Sequence, residues 1–130
     1  MKAIGIDHLV LRVSDLERSV AFYRDVLGLT VDRRRNDLGL VHMRAGSSFI
    51  DLVDVTGKLG QRGGGAAGAE CRNMDHLCLR VADFDETKIT AELEAFSVPI
   101  GEIDIRYGAN GDGVSIYLED PDGNGLELRG

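Results

Sequence analysis

Asp7-His8-Leu9-Val10-Leu11-Arg12-Val13-Ser14-Asp15 returns 68 residues later as Asp75-His76-Leu77-Cys78-Leu79-Arg80-Val81-Ala82-Asp83, with seven of nine positions identical. An offset of about half the chain indicates two copies of a whole supersecondary module, not a solenoid of short repeats. Within His8 to Val13 the alternation places Leu9, Leu11 and Val13 on one face and His8, Val10 and Arg12 on the other. That is the pattern of a half-buried strand.

Working outward, each copy continues in the same way. Ser14-Asp15-Leu16-Glu17 reads as a capping box, and Leu16, Val20, Tyr23 and Leu27 follow at helical spacing up to Gly28, a left-handed C-terminal cap. In the second copy Asp83 with Glu86 takes the capping role, Ile89, Leu93 and Phe96 follow, and Pro99 marks the stop. Strand-like runs then fall at about 29–35, 40–45 and 48–55, and at about 101–107, 113–119 and 125–129. Asp120-Pro121-Asp122-Gly123 joins the last two as a hairpin. The expected architecture is α+β, a single domain of two tandem βαβββ modules, about 4–55 and 73–130. Residues 56–72, with six of the chain's 17 glycines, form the expected linker, with duty as a mobile lid a second reading. No phosphate-loop pattern occurs in it.

The chain's 130 residues suit one domain, and 43% hydrophobic content suffices for a core. A net charge of −7 disfavours nucleic acid as a partner. No run approaches the roughly 20 apolar residues of a membrane span, and the opening MKAIGIDHL lacks a secretory apolar core, so a cytoplasmic location is expected. Cys71 and Cys78 match no C-x-x-C spacing and read as thiols.

The polar residues opposite the leucines carry the chemistry. His8 and His76 share one repeat position, so two modules curling their sheets around a shared cavity would bring the two imidazoles together. Asp51, between Ile50 and Leu52, and Glu127, between Leu126 and Leu128, turn away from the apolar face onto the histidine face. Two imidazoles and two carboxylates are a net-neutral set for a divalent cation, and N and O donors suit Ni, Fe, Mn, Co or Zn. His42 reads as a hydrogen-bonded structural residue and Cys78 as a small apolar lining residue. Arg12 and Arg80 read as solvated strand ends, with an anionic substrate end as the alternative. Arg33, Arg34 and Arg35 read as an exposed edge that discourages strand addition.

With those residues placed, the sequence resembles the vicinal oxygen chelate superfamily, which contains glyoxalase I, extradiol dioxygenases, fosfomycin-resistance proteins, methylmalonyl-CoA epimerase and bleomycin-resistance proteins. The marks are D-H-L-V-L-R-V-S-D-L-E-R-S-V-A-F-Y-R-D-V-L-G-L, the second D-H-L-C-L-R-V, and E-D-P-D-G-N-G-L-E-L, spanning Ile6 to Leu128. The resemblance implies a curved mixed sheet around a metal-binding cavity, the four ligand positions falling on His8, Asp51, His76 and Glu127. Asp51 stands where glyoxalase I-like members commonly have glutamate. Its shorter side chain either reaches through water or leaves a triad of His8, His76 and Glu127.

The resemblance further implies a homodimer and a small-molecule substrate. The leading expectation is a metal-dependent glyoxalase I-like lyase or isomerase, acting on an oxygen-chelating substrate such as a glutathione or other thiol hemithioacetal. Glu127 exchanges between metal and base duty there, and Asp51 is its catalytic partner. The alternatives are an Fe(II) extradiol-type dioxygenase, a thiol transferase of the fosfomycin-resistance type, and a metal-free drug-binding protein.

Overall fold

The computed structural model describes every residue except Cys71, and the reading of that cysteine as a thiol lies outside the described residues. The chain divides into two compact units, 1–70 and 71–130.

The first unit contains strand β1 (His8–Val13), helix α1 (Leu16–Ala21), and strands β2 (Thr30–Arg35), β3 (Leu40–Ala45) and β4 (Ser48–Asp54). Its sheet runs β1-β4-β3-β2, with β1 parallel to β4 and the other neighbours antiparallel. The alternation sets the core: Leu9, Ile50 and Met43 lie side by side across three strands, and Leu11, Leu52 and Val41 form the next row. Val13, Val41, Met43 and Leu52 are fully buried. A side chain of this kind contributes roughly 1.5–3 kcal/mol by leaving water.

The helix starts one residue later than the capping box predicts. Asp15, with extended backbone, accepts from the Arg18 N–H at 3.0 Å and is the N-cap in place of Ser14. Glu17 is thereby released to pair with Arg34 at 2.6 Å. After Ala21 the chain widens into a π-helical turn over Phe22–Val26, which buries the consecutive Phe22 and Tyr23. Gly28 ends it at φ +70°, and the Leu29 N–H returns to the Tyr23 carbonyl at 2.9 Å.

The second unit repeats the plan with β5 (His76–Arg80), α2 (Glu86–Ala95), β6 (Ile100–Gly108), β7 (Gly111–Glu119) and β8 (Gly125–Arg129), in the order β5-β8-β7-β6. Leu77, Leu126 and Leu118 form one apolar row, and Leu79, Leu128 and Ile116 the next. Here too the cap is displaced. Asp85 accepts from the Lys88 N–H at 3.1 Å, whereas Asp83 takes a left-handed φ of +49° ahead of the helix. At the last hairpin Asp120 Oδ1 accepts from the N–H groups of Asp122 and Asn124 at 2.9 and 2.8 Å.

Part of the expected linker is folded onto the first unit. A short 3-10 turn occupies Gly60–Gly63, and any Cβ at Gly60 would collide with the Asp54 carbonyl oxygen. Arg12, read from the sequence as a solvated strand end, instead donates to the carbonyls of Gly60, Gly63 and Gly64. A guanidinium with five donors gathers carbonyls that a helix or sheet would otherwise satisfy. On the edge strand β2, Arg35 pairs with Asp37 at 2.7 Å.

Candidate metal centre

His8 and His76 open their strands at equivalent positions, and each is braced by the residue before it. The His8 Nδ1–H donates to Asp7 and the His76 Nδ1–H to Asp75, both at 2.7 Å. A proton held at Nδ1 leaves Nε2 as the atom that presents a lone pair, the arrangement in which histidine binds metals. These bonds raise both pKa values above the usual 6.5 against the opposing effect of desolvation, helped by the charge of Asp51 on His8 and of Glu127 on His76.

In the second unit two of the expected residues meet. His76 Nε2 lies 3.0 Å from Glu127 Oε2. With the ring proton on Nδ1, these are two electron-rich atoms that need a proton or a cation between them. Donors about 2.1 Å from one ion and at right angles to each other lie about 3.0 Å apart, so the pair fits a divalent ion of the N/O-preferring kind. Ser115, fully buried, donates to Glu127 Oε1, and the Cys78 thiol also donates to this carboxylate. Burial pushes the Glu127 carboxyl up, but these bonds and His76 outweigh it and hold it below its ordinary value. Tyr117, opposite Glu127 on β7, packs edge-on against the His76 ring at 5.5 Å. Desolvation, with the Glu127 charge, drives the Cys78 thiol up to about 11, so it is neutral at pH 7.

In the first unit Asp51 is occupied differently. It is 6% exposed, and its Oδ1 accepts from the His42 Nδ1–H at 2.7 Å. His42 is thus the hydrogen-bonded residue expected, but its partner is one of the residues assigned to the metal, a link the sequence reading missed. The signal was present: a two-residue turn at Gly46 and Ser47 sets the β3–β4 register and places His42 opposite Asp51. Among the described residues no three His, Cys, Asp or Glu side chains converge as a ready-made metal cluster. His8 and Asp51 belong to the first unit, His76 and Glu127 to the second.

A model of the Glyoxalase/Bleomycin resistance protein/Dioxygenase superfamily matches residues 5–128. The chain belongs to that superfamily. It is 33% identical over 129 residues to virulence protein STM3117 of Salmonella typhimurium, covering 95% of this chain and 81% of the relative. It is 30% identical over 125 residues to glutathione transferase FosA of Serratia marcescens, covering 96% and 79%. The crystal structure of lactoylglutathione lyase from Agrobacterium tumefaciens superposes with a TM-score of 0.71 at 26% identity, covering 99% of this chain and 95% of that one. Superfamily relatives span thiol transferases, an epimerase, a dioxygenase and a lyase, so membership identifies the fold and leaves the reaction open. No helix among the described residues is long and apolar enough to cross a membrane.

Proposed function

We propose that this protein is a metal-dependent, glyoxalase I-like lyase or isomerase acting on a small substrate with two adjacent oxygens. The observation that carries the reading is the approach of His76 Nε2 to Glu127 Oε2, at 3.0 Å, with Asp75 fixing the ring from behind. His76 and Glu127 would hold the ion, and His8, braced in the same way by Asp7, is the further donor. When bound, a divalent ion of the Ni, Fe, Mn, Co or Zn type supplies Lewis acidity at the substrate oxygens. Glu127 is the proton carrier. Ser115 anchors Oε1, Oε2 is the oxygen left to exchange, and a carboxyl held below its ordinary pKa is ionised at neutral pH. Asp51, steadied by His42, is assigned as its acidic partner. The same reading has the protein working as a homodimer in the cytoplasm, where a free Cys78 thiol persists.

A second reading, thiol transfer onto a strained electrophile, is favoured by one observation. The Asp51 oxygen bonded to His42 is engaged, which leaves the three-donor set His8, His76 and Glu127. The similarity to a relative named glutathione transferase points the same way.

Elemental analysis of protein purified without chelator, beside His76→Ala, tests the metal: near-stoichiometric metal in the parent and little in the variant is expected. Equal, negligible metal in both overturns the proposal. Hemithioacetal isomerisation, thiol addition to an epoxide and oxygen uptake on catechols, assayed side by side, separate the reactions. Thioester formation is the expected activity, and oxygen consumption without it refutes the lyase assignment.

A further inference from the structure

The second unit contains a cleft of about 440 Å³ whose lining includes His76, Glu127, Arg80, Asn110 and Arg129. Arg80 and Arg129 are direct neighbours across the parallel β5–β8 pair. They stand two residues along their strands from Cys78 and Glu127, about 7 Å away and on the same face. Like charges in that position repel, and among the described residues no ion pair joins either arginine to a carboxylate. Arg106, on β6, makes the contrast, since both Glu102 and Asp104 neutralise it, at 3.0 Å in the case of Glu102.

Arg129 is also only 7% exposed. A buried guanidinium lacking a counter-ion is costly, and in a chain with 22 acidic residues against 15 basic ones the lack of a partner is notable. The seat has been shaped for it. Its Nη2 donates to the Gly111 carbonyl at 2.8 Å, and a Cβ at Gly108 would overlap Nη1, so a side chain there would displace the guanidinium. Arg80 is held at the same hairpin, where the Asn110 amide oxygen, in the orientation that satisfies both groups, accepts from its two terminal nitrogens at 2.9 and 3.1 Å.

We propose that Arg80 and Arg129 form an oxyanion subsite, which makes the substrate a small molecule carrying a carboxylate or phosphoryl group one row of side chains away from Glu127. Paired guanidinium forks suit either anion. This inference deepens the metal-enzyme reading and rests on it for the word substrate, but the anion site itself is measurable without metal.

Isothermal titration of inorganic phosphate, and separately of acetate, into chelator-treated protein at constant ionic strength is the test. Saturable one-site binding of at least one anion is expected, and which one binds identifies the group. Arg80→Gln should weaken it at least 5-fold, Arg129→Gln should abolish it, and Arg106→Gln should leave it within 2-fold. Because Arg80 is exposed, its variant carries the test should Arg129→Gln fail to fold. Binding of neither anion by the parent, or unchanged binding in Arg80→Gln, overturns the subsite. His76→Ala should lose metal yet keep the anion, so failure of the metal reading and failure of the subsite give different results.

Discussion

The two units share an apolar face and differ on the other. Row for row, Leu11, Leu52 and Val41 answer Leu79, Leu128 and Ile116. On the polar face Arg12 lies opposite Val53, while its counterpart Arg80 lies opposite Arg129. Asp51 takes its hydrogen bond from His42, while Glu127, at the equivalent place, faces Tyr117 and the imidazole of His76. The first unit consumes its polar groups internally: Arg12 on glycine carbonyls, Asp51 on a neighbouring strand. The second sets two guanidinium groups side by side with, among the described residues, only carbonyl and amide acceptors, and no carboxylate, against them. Duplication supplied one scaffold twice, and chemistry diverged where packing imposed no constraint.

The comparison is sharpest to test where the halves are expected to agree. Leu52→Ala and Leu126→Ala both empty fully buried positions, and each should cost about 2–5 kcal/mol in denaturant unfolding. A large loss in one and none in the other would break the equivalence of the two cores. Next in size, His76→Ala should lower turnover by about 100-fold or more, whereas His42→Ala should keep bound metal within about 2-fold. Loss of metal from both would place Asp51 and its partner among the ligands. Asp75→Ala, which frees the His76 ring, should weaken metal affinity by about 10-fold or more, read by competition with a chelating dye. Smallest is the pair of caps: Asp15→Ala and Asp85→Ala should each cost about 1 kcal/mol, and Ser14→Ala should cost less than Asp15→Ala.

Much of the strand plan was legible because period-two alternation reports directly on which face is buried. The ranges of β1, β3 and β8 coincide with the sequence reading, and β2, β4, β6 and β7 differ by one or two residues at their ends. The caps were displaced because Ser14 and Asp15 are both competent acceptors and only backbone geometry chooses between them. The π-helical turn left no mark in spacing, since Phe22 and Tyr23 sit where an ordinary helix would bury only one of them. At the candidate site, the placement of His76 and Glu127 on one face was readable from the alternation, but the contacts of Arg12 were not. Its acceptors are carbonyls about fifty positions away, and carbonyls have no sequence signature. Arg80 and Arg129 required the register, which places them side by side, and the burial of one of them.

The grip of Arg12 on Gly60, Gly63 and Gly64 has a practical corollary for anyone rearranging the gene. It fastens the stretch up to Gly64, and the residues beyond it, 65–70, are exposed. Foreign peptide spliced in after Gly65 should be accommodated, whereas the same insert at Gly60 should unseat the guanidinium and loosen the end of β1.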